Sequence, residues 1–508
     1  MLQSDQQPAD VCLIVEGAYP YIRGGVSSWM QDLIAAQSHL RFHVLVIVAP
    51  DAELTLRYKL PPNVCGLTRV FAGQLPIGSR TFSGPAQLIE ELLALAGRLM
   101  IHGSAQDLAA IIQRVLPHRA ELGRALLLDS RVAWAEFCKL YEQSCDGASF
   151  LNAFWGWRTL ISGLFSAVLI ELPAARVYHS ISTGYAGLLA ARATLETGRP
   201  SFVTEHGVYT NERRLEILAA PWLAVDDSSL ISIDGALNKV KELWINTFVS
   251  YSRACYQASS HVITLFEGNH PLQVEDGAPP DRLSVIPNGI DPTFYAKLVR
   301  EPRVAEGGTR PSAIALTGRV VPIKDIKTYI RACSLLAKKF PDIICYVLGP
   351  MDEDPVYVAA CQAFVKHLHL EDRIVFAGMV NLMDYFCAID VLVLTSISEA
   401  QPLVILEGGA AGVPSVATDV GSCRELIEGR SDEIPNLGPG GRVAAIGNPS
   451  EIANAIAELL LDEPLRQRCG QSMRQRVEKY YDKATLQTRY AQLYAQLDAQ
   501  PDRIAAVT

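Results

Sequence analysis

The sequence predicts an α/β protein made of two doubly wound, parallel-sheet domains, the first interrupted by a helical insertion. Three observations carry this expectation. The chain has 508 residues, more than one hydrophobic core accommodates, so at least two domains are required. Short apolar runs alternate with helical patterns along most of it, the signature of strands joined by crossover helices in a parallel sheet. The alternation comes in two series, separated by residues 292–311, where Pro292, Pro302, Pro311, Gly307, Gly308 and several charges read as an interdomain linker.

In the first series, residues 11–15 read as a strand that runs into a Gly-rich turn over 16–25, with a helical pattern from about Ser27. Strand-like runs follow at 42–48, 176–179, 201–204 and 261–265. From about Phe71 to Phe150, Leu, Ala and Arg recur at helical spacing with no strand among them, which predicts the insertion. In the second series strands are expected at 313–316, 343–348, 373–376, 391–395 and 415–417, each followed by Gly or Pro and then a helix. The tail, 465–497, reads as an amphipathic helix with Tyr480, Tyr481, Tyr490 and Tyr494 among its apolar positions. The expected division is a first domain over 1–300 with the insertion over 71–150, a second over 301–475, and a C-terminal helix over 476–508 that packs back on the first.

Composition narrows the function. Hydrophobic residues make up 49% and charged residues 19%, which fits a well-buried globular enzyme rather than a disordered or fibrous chain. The formal net charge is -9 with no dense Lys/Arg stripe, which disfavours binding of a nucleic-acid backbone. The 11 cysteines are scattered singly, without a Cys-x-x-Cys pair, and point to reduced thiols rather than a disulfide framework or a structural zinc. Residues 1–10 are polar and acidic where an export signal is basic and then apolar, so a cytoplasmic chain is expected. The most apolar stretch, 150–170, carries Asn152 and Arg158 and reads as a buried or interfacial helix. Trp155 and Trp157 within it either pack in the core or mark a membrane-interface face.

Chemistry concentrates in two clusters of the second series. The first is Thr317-Gly318-Arg319-Val320-Val321-Pro322-Ile323-Lys324. Gly318 lets backbone approach a ligand, and Arg319 and Lys324 place two cations beyond a strand's carboxyl end, where doubly wound sheets bind ligands. A diphosphate fits between them; two solvated loop cations are the plain alternative. The second cluster runs from Ser398-Glu399-Ala400-Gln401-Pro402-Leu403 to Glu407. Pro402 suits the first turn of a helix, which puts Glu399 in the loop before it and Glu407 on one of its faces. Glu407 would then accept hydrogen bonds from ribose hydroxyls while the helix N-terminus faces phosphates, although two glutamates bracketing a helix also arise by chance. His367-Leu368-His369 has no third metal ligand nearby and reads as a solvated or packed helix, and His179 either touches a ligand or caps the sheet.

Gly24-Gly25, His206 in Thr204-Glu205-His206-Gly207, Ile286-Pro287-Asn288-Gly289-Ile290-Asp291, Gly318-Arg319 with Lys324, and Glu399 with Glu407 occur in the order seen in glycosyltransferase family 4. The chain resembles that family over nearly its whole length. Within it, Tyr19-Pro20-Tyr21-Ile22-Arg23-Gly24-Gly25, Gly349-Pro350-Met351-Asp352-Glu353-Asp354 and Ser398-Glu399-Ala400-Gln401-Pro402-Leu403-Val404 look like the PelF-like subgroup, which makes the Pel exopolysaccharide.

The resemblance implies a GT-B fold, in which two Rossmann-like domains face a central cleft. It implies a retaining hexosyltransferase that takes a UDP-sugar as donor, needs no metal or other cofactor, and extends a saccharide acceptor. Arg319 and Lys324 would neutralise the donor diphosphate, Glu407 would hold the ribose, Glu399 would sit beside the transferred sugar, and His206 would face the reacting centre. Gly24, Gly25 and Gly318 would admit the ligand to the backbone, Met379 and Val380 would follow the base, and Ala400, Gln401, Pro402 and Leu403 complete the donor set. Many family members have Gly where Ala400 stands, which leaves the family's sugar contacts open at that point. Membrane-embedded subunits of a polysaccharide synthase are the expected partners, with the chain held peripherally at the inner membrane through them. Donor binding is expected to draw the domains together about residues 302–311.

No carboxylate pair offers an evident nucleophile, so front-face attack, with the leaving phosphate taking the acceptor proton, is the expected chemistry. Asp352-Glu353-Asp354 spells the Asp-x-Asp triplet by which glycosyltransferases of another fold hold a divalent cation. With Arg319 and Lys324 already at the phosphates, it is expected to be a solvated turn or structural. Two other functions fit the same scaffold: a nucleotide-sugar epimerase, and a non-catalytic donor-binding subunit of a synthase.

Overall fold

The computed structural model describes residues 7–500 except 53, 86, 146, 220–238, 299, 301–303 and 306–307. By its contacts the chain divides into two compact units, one formed up to Val285 together with the chain from Tyr490 onward, the other by Ile286–Arg489.

The first unit is built on seven strands, β1 (Ala9–Glu16), β2 (Phe42–Val48), β3 (Val64–Phe71), β4 (Ala175–Ser180), β5 (Ser201–Glu205), β6 (Val262–Thr264) and β7 (Leu283–Val285). They pair in parallel in the order β3-β2-β1-β4-β5-β6-β7. The order reverses between β1 and β4, and the carboxyl ends of those strands are where a doubly wound sheet opens a ligand crevice. Helix Gly25–Ala36 follows β1 because Ser27, Met30, Leu33 and Ile34 recur at helical spacing and bury one face. Between β3 and β4 the helices Leu88–His102, Ala105–Val115, Arg131–Leu140 and Phe150–Leu169 bury their Leu and Ile faces in the same core as the sheet. Ser104 starts one with a capping box to Asp107, and Ser130 starts another by accepting the Ala133 N–H. Helix Phe150–Leu169 is a core helix, and no described helix is long and apolar enough to cross a membrane. Trp157 lies in that core, whereas Trp155 is exposed.

In the second unit β8 (Val304–Ala305) and β9 (Gly308–Thr309) form a small antiparallel pair. The main sheet has β10 (Ala313–Thr317), β11 (Ile344–Leu348), β12 (Ile374–Gly378), β13 (Val391–Leu394), β14 (Ser415–Thr418) and β15 (Gly441–Ala444). All pairings are parallel, in the order β12-β11-β10-β13-β14-β15, so the switch point falls between β10 and β13. Helix Glu463–Tyr480 closes one face and carries a fully buried ion pair. Arg476 bonds Glu433 at 2.6 and 3.0 Å and donates to the carbonyls of Gly438 at 2.7 Å and Ile427 at 3.1 Å.

Besides the short pair β8 and β9, three strands of the two main sheets escape the sequence reading: β3, β7 and β15. All are sheet edges with partly exposed positions, so they lack the continuous apolar run of a strand covered on both faces. The proline-rich stretch also differs from a loose linker. Asp291 caps helix Pro292–Ala296 by accepting the Thr293 N–H at 2.9 Å, the Asn288 N–H donates to Gln401 at 2.6 Å, and Ile290 exchanges backbone hydrogen bonds with Tyr481 and Lys483. Pro292 sits at a helix start, where its fixed φ suits the turn, so it orders the chain rather than loosening it. Residues 302–303 and 306–307 of the expected hinge lie outside the described residues. The tail is two helices, Glu463–Tyr480 and Lys483–Asp498, because Asp482 bridges Ile290 and accepts the Thr485 N–H at 2.8 Å, restarting the helix.

Candidate functional site

The second unit gathers its chemistry at the switch point. After β10 the chain turns through Gly318 into the short turn Pro322–Lys324, and Asp325 caps helix Ile326–Ala337. Thr395, just past β13, donates its hydroxyl to the Lys324 carbonyl at 2.9 Å, tying the two strand ends together. Lys324 Nζ bonds Glu399 Oε1, and the same oxygen accepts from Ser396 Oγ at 2.6 Å. The side chains of the pair are only 17% and 14% exposed. Two glycines make this packing feasible. A Cβ on Gly349 (φ 148°) would stand 2.1 Å from the Gly318 carbonyl oxygen, and one on Gly421 (φ 51°) 2.1 Å from that of Glu399.

Arg319 lies apart from this pair. Its Nη1 is 2.6 Å from both carboxylate oxygens of Glu353, with both side chains about half exposed. Asp354 accepts the Tyr357 N–H at 2.9 Å and starts helix Pro355–His367, while Asp352 is exposed. The acidic triplet is thus divided between an ion pair and a helix cap. Among the described residues no cluster of three or more His, Cys, Asp or Glu could hold a metal.

Glu407 lies on helix Leu403–Ala410, just behind Pro402, and is hydrogen-bonded to the Tyr295 hydroxyl; burial pushes its carboxyl above the usual range. Gln401 Oε1 accepts the Asn288 N–H, but Gln401 Nε2, Asn288 Oδ1 and Thr317 Oγ1 are buried with no hydrogen-bond partner among the described residues. Buried polar atoms without partners are rare, and a bound ligand is one way to satisfy them. Ala400 accepts the Ser422 N–H at 2.8 Å through its carbonyl, which fixes the loop that carries Glu399. Met379 is exposed just after β12, and Val380 is partly buried; they lie at the outer edge of the sheet, with β11 between them and β10.

In the first unit, a Cβ at Gly24 or Gly25 would meet no atom within 4 Å, so helix Gly25–Ala36 begins against open space. His206 follows β5, its ring edge-on to Trp29 with centroids 4.6 Å apart, and its buried Nε2 has no partner among the described residues. Burial pushes the imidazole down to about 4. His179 is a core residue instead. Its Nδ1 is 2.8 Å from the Tyr494 hydroxyl, its Nε2 is 2.9 Å from Thr204 Oγ1, and its ring stacks on Phe202.

Residues 9–281, more than half of the chain, match the model of a family described as a domain of unknown function, DUF3492. The chain belongs to that family. Downstream of the DUF3492 segment, residues 304–476 match the model described as Glycosyl transferases group 1. Among curated relatives, a D-inositol 3-phosphate glycosyltransferase of Paenarthrobacter aurescens is 29% identical over 40% of this chain and 50% of its own length. An N-acetyl-alpha-D-glucosaminyl L-malate synthase of Bacillus anthracis is 31% identical over 26% of this chain and 32% of its own. The chain therefore spans half or less of the length of these relatives. Among solved structures, Anabaena HepE in complex with UDP superposes with a TM-score of 0.58 at 14% identity, covering 96% of this chain and 100% of its own. Sucrose-phosphate synthase from Thermosynechococcus elongatus gives 0.56 at 16% identity, covering 96% and 99%. The fold is the GT-B class, with two Rossmann-like domains, that the sequence predicts.

Within the DUF3492 segment, the sequence reading misses the polar groups that support His206. Glu205 is fully buried and accepts from the Tyr256 hydroxyl at 2.6 Å, Gln273 Nε2 at 2.8 Å and Thr183 Oγ1 at 3.1 Å, clamping the strand end that carries the histidine. Glu16 closes β1 and accepts from the Tyr209 hydroxyl at 3.0 Å, with Arg213 3.5 Å away. Their one sequence signal is a carboxylate at the end of an apolar run; the partners are too distant in sequence to show a spacing.

An NMR titration of the His206 imidazole is expected to show a midpoint near pH 4, as its burial requires. The folded value is below the unfolded one of about 6.5, so the unfolded chain takes up a proton first. Stability is full above that pH and is lost as pH falls toward 4, and the buried His179, also shifted down by burial, adds to the loss. A midpoint near the ordinary histidine value would show that the ring is solvated.

Proposed function

We propose that the chain is a retaining glycosyltransferase that moves a sugar from a UDP-sugar onto a growing exopolysaccharide of the Pel type, without a metal ion. The observation that carries this reading is the Lys324–Glu399 pair astride the switch point of the unit that matches the group 1 glycosyl transferases. Cleaving a sugar–diphosphate bond develops negative charge on the leaving phosphate and positive charge on the ring, and fixed charges at each lower the barrier. Lys324 is assigned to the first and Glu399 to the second. The two side chains are mostly buried and lie against each other, so each charge has its counter-charge beside it. Arg319 is assigned to the diphosphate as well. Its exposed bond to Glu353 is worth about 0–1 kcal/mol, less than charge-assisted hydrogen bonds to a phosphate.

Glu407, oriented by Tyr295, is assigned to the ribose, and the unpartnered polar atoms of Gln401, Asn288 and Thr317 to the rest of the donor. His206, neutral at physiological pH, is assigned a hydrogen bond to a sugar hydroxyl through Nε2. The acceptor attacks from the face the phosphate leaves, and the phosphate takes its proton. Uridine as the base agrees with the UDP held by the HepE structure. Membrane-embedded synthase subunits are proposed to receive the product.

The test is a panel of UDP-glucose, UDP-N-acetylglucosamine and UDP-N-acetylgalactosamine, assayed with a saccharide acceptor and excess EDTA. Release of UDP with glycan elongation is expected, undiminished by the chelator because Lys324 and Arg319 supply the charge that a dication would. Complete loss restored by magnesium or manganese overturns the metal-free mechanism. Epimerised donor without UDP release would instead establish an epimerase, and tight donor binding without turnover, even with membranes, a binding subunit.

A further inference from the structure

We propose that the second unit has another binding site, for a phosphorylated small molecule, in an arginine-lined cavity at the amino end of its sheet. The cavity has a volume of about 670 Å³, and its charged lining is Arg300, Arg310, Arg466 and Arg474 against the carboxylates of Asp390, Glu463 and Glu478. Arg310 immediately precedes Pro311 and β10, Asp390 precedes β13, and Pro414, also on the wall, precedes β14. Gly318, Lys324 and Glu399 follow the carboxyl ends of the same sheet, so the cavity is distinct from the donor site proposed above.

The four guanidinium groups are not equally compensated. Arg310 bonds both oxygens of Asp390, at 3.1 and 2.9 Å, and one of these also accepts the Ala313 N–H at 2.9 Å. Arg466 pairs with Glu463 at 2.6 Å and stands 3.9 Å from Asp390. Among the described residues Arg300 donates only to the Phe386 carbonyl, at 3.1 Å, and Arg474 only to the Ala410 carbonyl, at 3.2 Å. Neither has a carboxylate within 4.0 Å among the described residues. Burial, with Arg310, Arg466 and Arg474 crowding round it, brings the Arg300 guanidinium down to about 10 in spite of Asp390. Two planar cations with most of their N–H groups unspent, held in a concave and partly desolvated place, match the oxygens of a phosphoryl group.

The space is larger than a bare phosphate and falls in the range of about 300–1,000 Å³ typical of small-molecule sites. Gln467, Gln471 and Gln475, spaced four apart on helix Glu463–Tyr480, bring amides to the same wall and offer donors and acceptors to a polar body such as a sugar or a nucleoside. A sugar phosphate and a nucleotide share this chemistry.

The experiment is calorimetric titration of the full chain with inorganic pyrophosphate, then with glucose 6-phosphate and AMP to separate the two sources. Pyrophosphate binding is expected to persist in Lys324→Ala and to weaken about tenfold or more in Arg300→Ala and in Arg474→Ala, with partial recovery in Arg474→Lys. In the unmutated chain pyrophosphate should also slow phenylglyoxal modification of Arg300 and Arg474, read by mass spectrometry, which tests the site without relying on a variant that folds. Binding that vanishes in Lys324→Ala, or modification of both arginines at an unchanged rate under saturating pyrophosphate, overturns the proposal.

Discussion

Lys324→Ala is expected to lower sugar transfer by about 10²- to 10³-fold, the effect of deleting one preorganised electrostatic contact, with the fold intact. The size follows from the geometry. Lys324 is held on three sides: its turn is closed by Asp325, its carbonyl is bonded by Thr395, and its ammonium is bonded by Glu399. Its removal also strips Glu399 of its cation, so both assigned charges are disturbed by one substitution. Arg319→Ala is expected to cost less, because Arg319 is exposed and must first leave Glu353. The measurement is kcat/KM with saturating acceptor, alongside circular dichroism. Unchanged turnover in a folded Lys324→Ala protein would remove the diphosphate assignment.

Arg476→Ala is expected to destabilise the protein by about 3–5 kcal/mol, the cost of stranding a buried carboxylate. Arg476 is 0% exposed and Glu433 3%, and the guanidinium also satisfies the carbonyls of Gly438, Ile427 and Leu426. Truncation strands the Glu433 charge and the carbonyls of Gly438 and Leu426, while the Ile427 carbonyl keeps the Gly440 N–H at 2.6 Å. Replacing both partners with apolar residues, as Arg476→Met with Glu433→Leu, is expected to cost less than the single change, because no charge is then stranded. Urea unfolding of both variants checks this. A double variant less stable than Arg476→Ala would mean that the stranded Glu433 charge is not the dominant cost and that the carboxylate's own bond from the Leu437 N–H outweighs it.

How much of this was legible beforehand depended on burial. The inner strands β1, β2, β4, β10 and β13 announce themselves because both faces of a parallel sheet are covered and most of their positions are buried and apolar. The edge strand β3 carries Gly66 and Arg69 and reads as loop, since its exposed positions are free to be polar. The tail reads as one helix because its periodicity barely falters; the break at Asp482 is set by a bridge to Ile290, far away in sequence.

Sequence by itself determined the fold class, two series of strands and helices, and the residues at their strand ends, because covering both faces of a sheet imposes a local pattern that any window of the chain displays. Tertiary structure alone decided which of those residues meet. Lys324 and Glu399 are 75 positions apart and become partners only because β13, and not β11 or β12, lies beside β10 on the switch side. Arg319, their neighbour in sequence, is carried to Glu353 instead. The neutral state of His206, the clamp on Glu205 and the gathering of Arg300, Arg310, Arg466 and Arg474 round one cavity likewise have no local signature. They arise from desolvation and long-range packing, which act between segments the chain order keeps apart.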